Sequence, residues 1–274
     1  MQPYNERPSR SRKRVRVPAS WLPVAAFAAV LTLGAFAPDA RAQNGGADEV
    51  PLDEASMIIE TNASDCDAGL QIFFDGGPWN QMKIWDPNER LVFDLRLKST
   101  LKGFGLAEHF NESSEPPMEE LVAAFPEFEC DPGEFTLAEF FELFPEGTYE
   151  FEGRTVEGEE LEGEAEFSHV IPLNPEITES LENDPQDPDN TVISWAAVTL
   201  PILPGLGPVN IVRYQVIVEL DDGNSLQVEV PAVQLEVMVP PNLLEPGTEY
   251  KFEVLAIDET GNQTITESSF ETMP

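Results

Sequence analysis

Leu244-Glu245-Pro246-Gly247-Thr248-Glu249-Tyr250 runs directly into the alternating Lys251-Phe252-Glu253-Val254-Leu255-Ala256. A leucine, a Pro-Gly turn and a tyrosine at this spacing suit a corner at which a chain passes between the two sheets of a β-sandwich. The tyrosine hydroxyl can return to the backbone just upstream and satisfy polar groups that the corner buries. This stretch therefore specifies an architecture and leaves the ligand open, because sandwiches of this kind carry many unrelated functions.

Working outward, Tyr214, Val216 and Val218 fall on one face of a strand and Arg213, Gln215 and Glu219 on the other. That is the period of a half-buried strand. Asp221-Asp222-Gly223-Asn224 offers residues that tolerate positive φ in a hairpin turn. Further strands are expected over 225–230, 234–239, 248–257 and 263–272. Together with Trp195 in Thr191-Val192-Ile193-Ser194-Trp195, the 244–250 corner, and Ala256-Ile257-Asp258 followed by Gly261-Asn262, these landmarks make residues 172–274 resemble a fibronectin type III domain along their whole length. The resemblance implies an immunoglobulin-like sandwich with Trp195 and Tyr250 in its core, and a role in spacing, presenting or docking a neighbouring module. The Pro-rich 201–208 segment departs from the family pattern by lengthening and stiffening one connection. No Arg-Gly-Asp lies between Asp258 and Gln263, so integrin binding has no support.

The other end of the chain bears on compartment. Arg7, Arg10, Arg12, Lys13, Arg14 and Arg16 form a basic leader, residues 21–37 an apolar run, and Ala40-Arg41-Ala42 a small-residue cleavage site. Residues 1–42 are accordingly expected to be a secretory signal, with a membrane anchor as the alternative. A secreted or periplasmic location follows, without stable membrane insertion once the signal is cleaved. Seven of the fifteen basic residues and two of the fifty-one acidic ones precede Gln43, which leaves eight against forty-nine and a net charge near −41. Such a surface repels nucleic acid and anionic lipid. In an oxidising compartment Cys66 and Cys130 read first as a disulfide, with a pair of reduced structural thiols as the alternative.

Between a flexible tail over 43–50 and the C-terminal domain, residues 51–171 form a second β-rich module that matches no named family. Strands are expected at 70–74, 81–85 and 91–98, the last with Leu91, Phe93, Leu95 and Leu97 inward, and the Asp86-Pro87-Asn88-Glu89 turn makes a hairpin of the latter two. Strands resume at 148–152 and 164–168. Helices are expected over 117–124 and 136–144, each closed by Phe-Pro-Glu, because a proline disfavours helical geometry in the residue before it. The fold class is thus all-β: two sandwich modules, the first with a short helical insertion.

Chemical motifs are sparse. The sequence contains no Gly-x-Ser-x-Gly elbow, phosphate-binding glycine loop or His-Glu-x-x-His, and its two histidines cannot build a three-histidine zinc site. Asn62, Asp65 and Asp67 cluster hard oxygen ligands around a turn, as calcium requires, although the register fails that of an EF-hand loop. A turn in which Asx side chains bond their own backbone accounts for the same residues. Asn183–Asn190 is a second acidic cluster, read as a stiff entry loop, and Asn62, Asn111 and Asn262 begin glycosylation-type tripeptides. The expectation is a secreted, non-catalytic binding protein without a cofactor, taking a protein or carbohydrate ligand and no nucleic acid. The alternatives are a carboxylate-dependent glycan-active enzyme in the front module and a calcium-stiffened surface protein.

Overall fold

The computed structural model describes residues 49–178, 181, 184–220 and 223–274. The leader, the tail as far as Asp48, Asn183 and the Asp221-Asp222 pair lie outside the described residues. The front half comprises β1 (Glu49–Pro51), β2 (Glu54–Asn62), β3 (Asp67–Trp85), β4 (Leu91–Arg96), α1 (Ser99–Phe104), β5 (Leu106–Glu112), α2 (Glu119–Ala124), α3 (Leu137–Leu143), β6 (Gly147–Thr155) and β7 (Glu160–Phe167). The back half contains β8 (Val192–Ser194), β9 (Ile211–Glu219), β10 (Ser225–Pro231), β11 (Glu236–Met238), β12 (Glu249–Asp258) and β13 (Gln263–Glu271).

At the corner, the Glu245 backbone N–H donates to the Tyr250 hydroxyl at 2.6 Å, and Tyr250 is buried. The strands order as β13-β12-β9-β10 in one sheet and β11-β8 in the other, a fibronectin type III-like sandwich. Trp195 and Tyr214 pack with ring centroids 5.3 Å apart in its core, and the Tyr214 hydroxyl accepts from the Val198 backbone. The β9 expectation needs one correction. Gln215 and Ile217 are only 5% and 4% exposed, so both faces of this strand are covered. On the outward face Gln215 stands in register with Leu255, Leu255 with Ile265, and Ile265 with Asn62, a lateral packing that alternation within one strand does not reveal.

In the front half, β3 bends at Gly76-Gly77-Pro78. Residues 67–75 run between β2 and β5, and residues 79–85 between β4 and β6, so the expected strands at 70–74 and 81–85 belong to one bent strand. Proline has no N–H to give a ladder, and a Cβ on Gly76 would stand 2.8 Å from Leu52 Cδ2, so these residue types suit a bend where the β1–β2 corner comes close. Leu52 N–H donates to Glu162 and Asp53 N–H to Asp75, tying the β1–β2 corner to both β7 and β3. Phe74, Trp79, Met82, Ile84, Tyr149 and Phe151 fill the enclosed core. Glu49 and Val50, expected within the tail, pair instead with β7 in parallel register. Leu91, expected inward, is 44% exposed because the register shifts between Ile84 and Trp85 and reverses the facing at the start of β4.

The halves have separate cores yet share one sheet. β13 pairs in parallel with β2, Gln263 opposite Glu60 and Ile265 opposite Asn62, giving an eleven-stranded mixed sheet among the described residues. Asn262 secures this junction. Its Oδ1 accepts from Ile59 N–H at 2.8 Å, and its Nδ2 donates to the carbonyls of Ser168 and Val170, both at 2.8 Å. No helix among the described residues is long and apolar enough to cross a membrane.

Candidate functional site

Two surfaces of the front half concentrate polar side chains. The first lies around the 62–67 turn, where the calcium ligands were expected. Asn62 Oδ1 accepts from the backbone of Ser64 at 2.9 Å and Asp65 at 3.4 Å, so Asn62 forms an Asx turn. Its Nδ2 donates to Glu267 at 2.5 Å and to Asp65 at 3.3 Å, and the Ser64 hydroxyl exchanges hydrogen bonds with the Glu267 backbone. This turn is therefore also part of the junction with β13. Cys66 and Cys130 are joined in a disulfide, which fastens the turn to the helical insertion.

Beside the turn, carboxylate oxygens of Glu60, Glu112 and Glu115 lie within 4.8 Å of one another. Asn62, Asp65 and Asp67 are not members of that group. Burial first, then the charges of Glu60 and Asp67, pushes the Glu115 carboxyl up to about 8. Burial raises Glu60 to about 7, with hydrogen bonds from Gln263 and Gln71 working against it. Asp67 rises to about 7 through burial and the neighbouring Asp65 and Glu267, and Glu253 across the junction rises to about 7 through burial and Glu267. The site thus holds protons near neutrality. Sequence reading singled out the turn and missed the glutamates, which come from β2, β5 and the segment after β5 and are adjacent only in the folded sheet.

The second surface is the outward face of β4, β3, β6 and β7. Gln81 stands in register with Arg96 on one side and Arg154 on the other, and Lys83 with Asp94 and Glu152. Gln81, Lys83, Glu152, Arg154, Glu160 and Glu162 line an open groove. Arg96 donates two hydrogen bonds of 2.9 Å to Asp94, and Arg154 approaches Glu160 at 3.4 Å. Trp85 borders the groove, its Nε1 donating to Glu152 at 2.7 Å and Lys83 Nζ lying 5.5 Å from its ring centroid. The alternation expected over 91–98 carried a signal for this face through Asp94 and Arg96. Arg154 did not, because it lies past residue 152, where the expected strand ends, whereas β6 continues to Thr155.

Both histidines are engaged in packing. His109 lies among the rings of Phe74, Trp79 and Phe93, where burial pulls its pKa down. His169 stacks on Phe141 and contacts the Phe144 carbonyl through Nε2. Of the glycosylation-type asparagines, Asn262 is buried and fully engaged.

No family profile matches the chain, and no curated protein matches it. Among solved structures it is similar to the FN1–FN3 domains of chicken CNTN1, at 10% identity and TM-score 0.33 over 84% of this chain and 66% of that one. A two-domain fibronectin type III segment of chicken tenascin gives 7% identity and TM-score 0.28, covering 81% and 97% of the two chains. A tandem-repeat region of a large adhesion protein gives 11% and 0.27, covering 80% and 49%. These superpositions are too loose to bear on function, and the fold assignment stands on the strand order and the Tyr250 corner.

Proposed function

We propose that the protein is an exported, non-catalytic binding protein in which the fibronectin type III-like half holds the front half in a fixed pose for a protein or carbohydrate ligand. The observation that carries this reading is the β2–β13 pairing with its Asn262 lock, which makes one continuous scaffold of two cores. The disulfide supports a secreted or periplasmic location, because such bonds persist in oxidising compartments. The test is activity of the purified full chain on a panel of glycans and esters. Turnover that disappears on a single Glu or Asp substitution would overturn the proposal, whereas binding without turnover is the expected result.

Calcium stiffening is a second reading, favoured by the close approach of Glu60, Glu112 and Glu115, whose six oxygens match the ligand type that calcium takes. The ligands first expected, Asn62, Asp65 and Asp67, would then adjoin the ion or support its ligands. A ligand of the native state raises its stability, so a melting temperature indifferent to calcium and chelator rejects this reading.

A further inference from the structure

We propose that the groove on the outward face of β4, β3, β6 and β7 is a binding site for a neutral oligosaccharide. This deepens the binding reading above and rests on it.

The first argument is charge distribution. Only eight basic residues follow residue 42, and three of them, Lys83, Arg96 and Arg154, meet on this one face, with Lys98 and Lys102 just beyond β4. Asp94, Glu150, Glu152, Glu160, Glu162 and Glu164 accompany them, so the face is two-signed with an excess of acid. That excess gives no pull on a polyanion, and the three cations interrupt the acidic face that a polycation would follow. The strongly acidic remainder of the molecule repels polyanions, and the local cations oppose a polycation. An uncharged ligand meets neither obstacle.

The second argument is the type and order of the polar groups. Arg96, Arg154 and Gln81 present planar N–H donors, and Glu152, Glu160 and Glu162 present acceptors within the same few strand positions. The vicinal hydroxyls of a sugar donate and accept at once, so they pair with donors and acceptors set side by side. Several of these groups are already held in place: Arg96 by Asp94, and Trp85 by Glu152 and Lys83. Prior ordering reduces the entropy lost on binding. Trp85 adds an aromatic wall that can pack against the C–H face of a pyranose. From Gln81 to Trp85 the face runs about 14 Å, and from β4 to β7 about 14 Å, room for roughly two or three sugar rings.

The test uses the purified full chain against a broad array of neutral glycans, followed by calorimetric titration of hexasaccharides of glucose, mannose and xylose, with polygalacturonate as the anionic contrast. One neutral saccharide is expected to bind with an affinity almost independent of salt. Trp85→Ala and Arg154→Ala are each expected to weaken it about tenfold or more. Arg154 is an exposed strand residue, so its substitution keeps the test valid should Trp85→Ala fold poorly. Binding of no neutral glycan overturns the assignment, as does binding that survives both substitutions. Preference for polygalacturonate with a steep salt dependence also overturns it. Capture of a defined protein ligand undisturbed by either substitution would remove the groove while leaving the broader binding proposal standing.

Discussion

The three hydrogen bonds of the Asn262 side chain join a β2 amide to two carbonyls just after β7, and no shorter or more charged side chain offers the same set. At roughly 1 kcal/mol for each bond, Asn262→Ala should lower stability by about 3 kcal/mol in urea unfolding. Asn262→Asp should fail to rescue it, because a carboxylate keeps the acceptor and turns oxygen toward the Ser168 and Val170 carbonyls. Rescue by Asp would show that only the Ile59 bond matters. Tyr250→Phe is expected to cost about 1–2 kcal/mol, since the Glu245 N–H loses the hydroxyl that accepts it. These two residues differ in legibility. Tyr250 announces itself, since its partner lies five residues away, whereas the role of Asn262 depends on groups more than ninety residues distant and its tripeptide suggests only a glycosylation acceptor.

Among elements, the helical insertion was legible where its signals are local. Thr136 and Glu139 form a capping box at the start of α3, and Phe144 ends it ahead of Pro145. Helix α1 went unread because Gly103 lies within it and none of its residues is buried, so no apolar stripe marks it. Strand β5 was missed for a related reason, as Leu106–Glu112 mixes histidine, asparagine and glutamate without clean alternation. The insertion is held by Met118 N–H donating to the Cys66 carbonyl and by the disulfide closing a 64-residue separation. Replacing both cysteines by serine is expected to cost about 4 kcal/mol in the chain-entropy account. Limited proteolysis should then cut first between residues 113 and 146. First cleavage elsewhere would show that the insertion is held by packing alone.

For the whole molecule, acidity is both a surface property and a feature of the junction. Glu60, Asp67, Glu115 and Glu253 have folded-state values of about 7 to 8, above the unfolded range near 4. The folded state therefore binds their protons more tightly. Its advantage is complete below about pH 4 and is lost as pH rises through the folded values. His109 acts in the opposite sense, since its lowered pKa disfavours the folded state as pH falls below about 6.5. Four carboxyls outweigh one imidazole, so the melting temperature should decline between pH 6 and pH 8.5. Glu115→Gln should raise it at pH 8 and change it little at pH 5, and a flat profile in both proteins would contradict this account. The pairing that creates the junction was invisible to sequence reading, because parallel register between β2 and β13 leaves no local pattern. It also has a mechanical corollary. A pull along β13 at the C-terminal end meets β12 on one flank and β2 on the other, so the ladders are loaded in shear and must give way together instead of unzipping rung by rung.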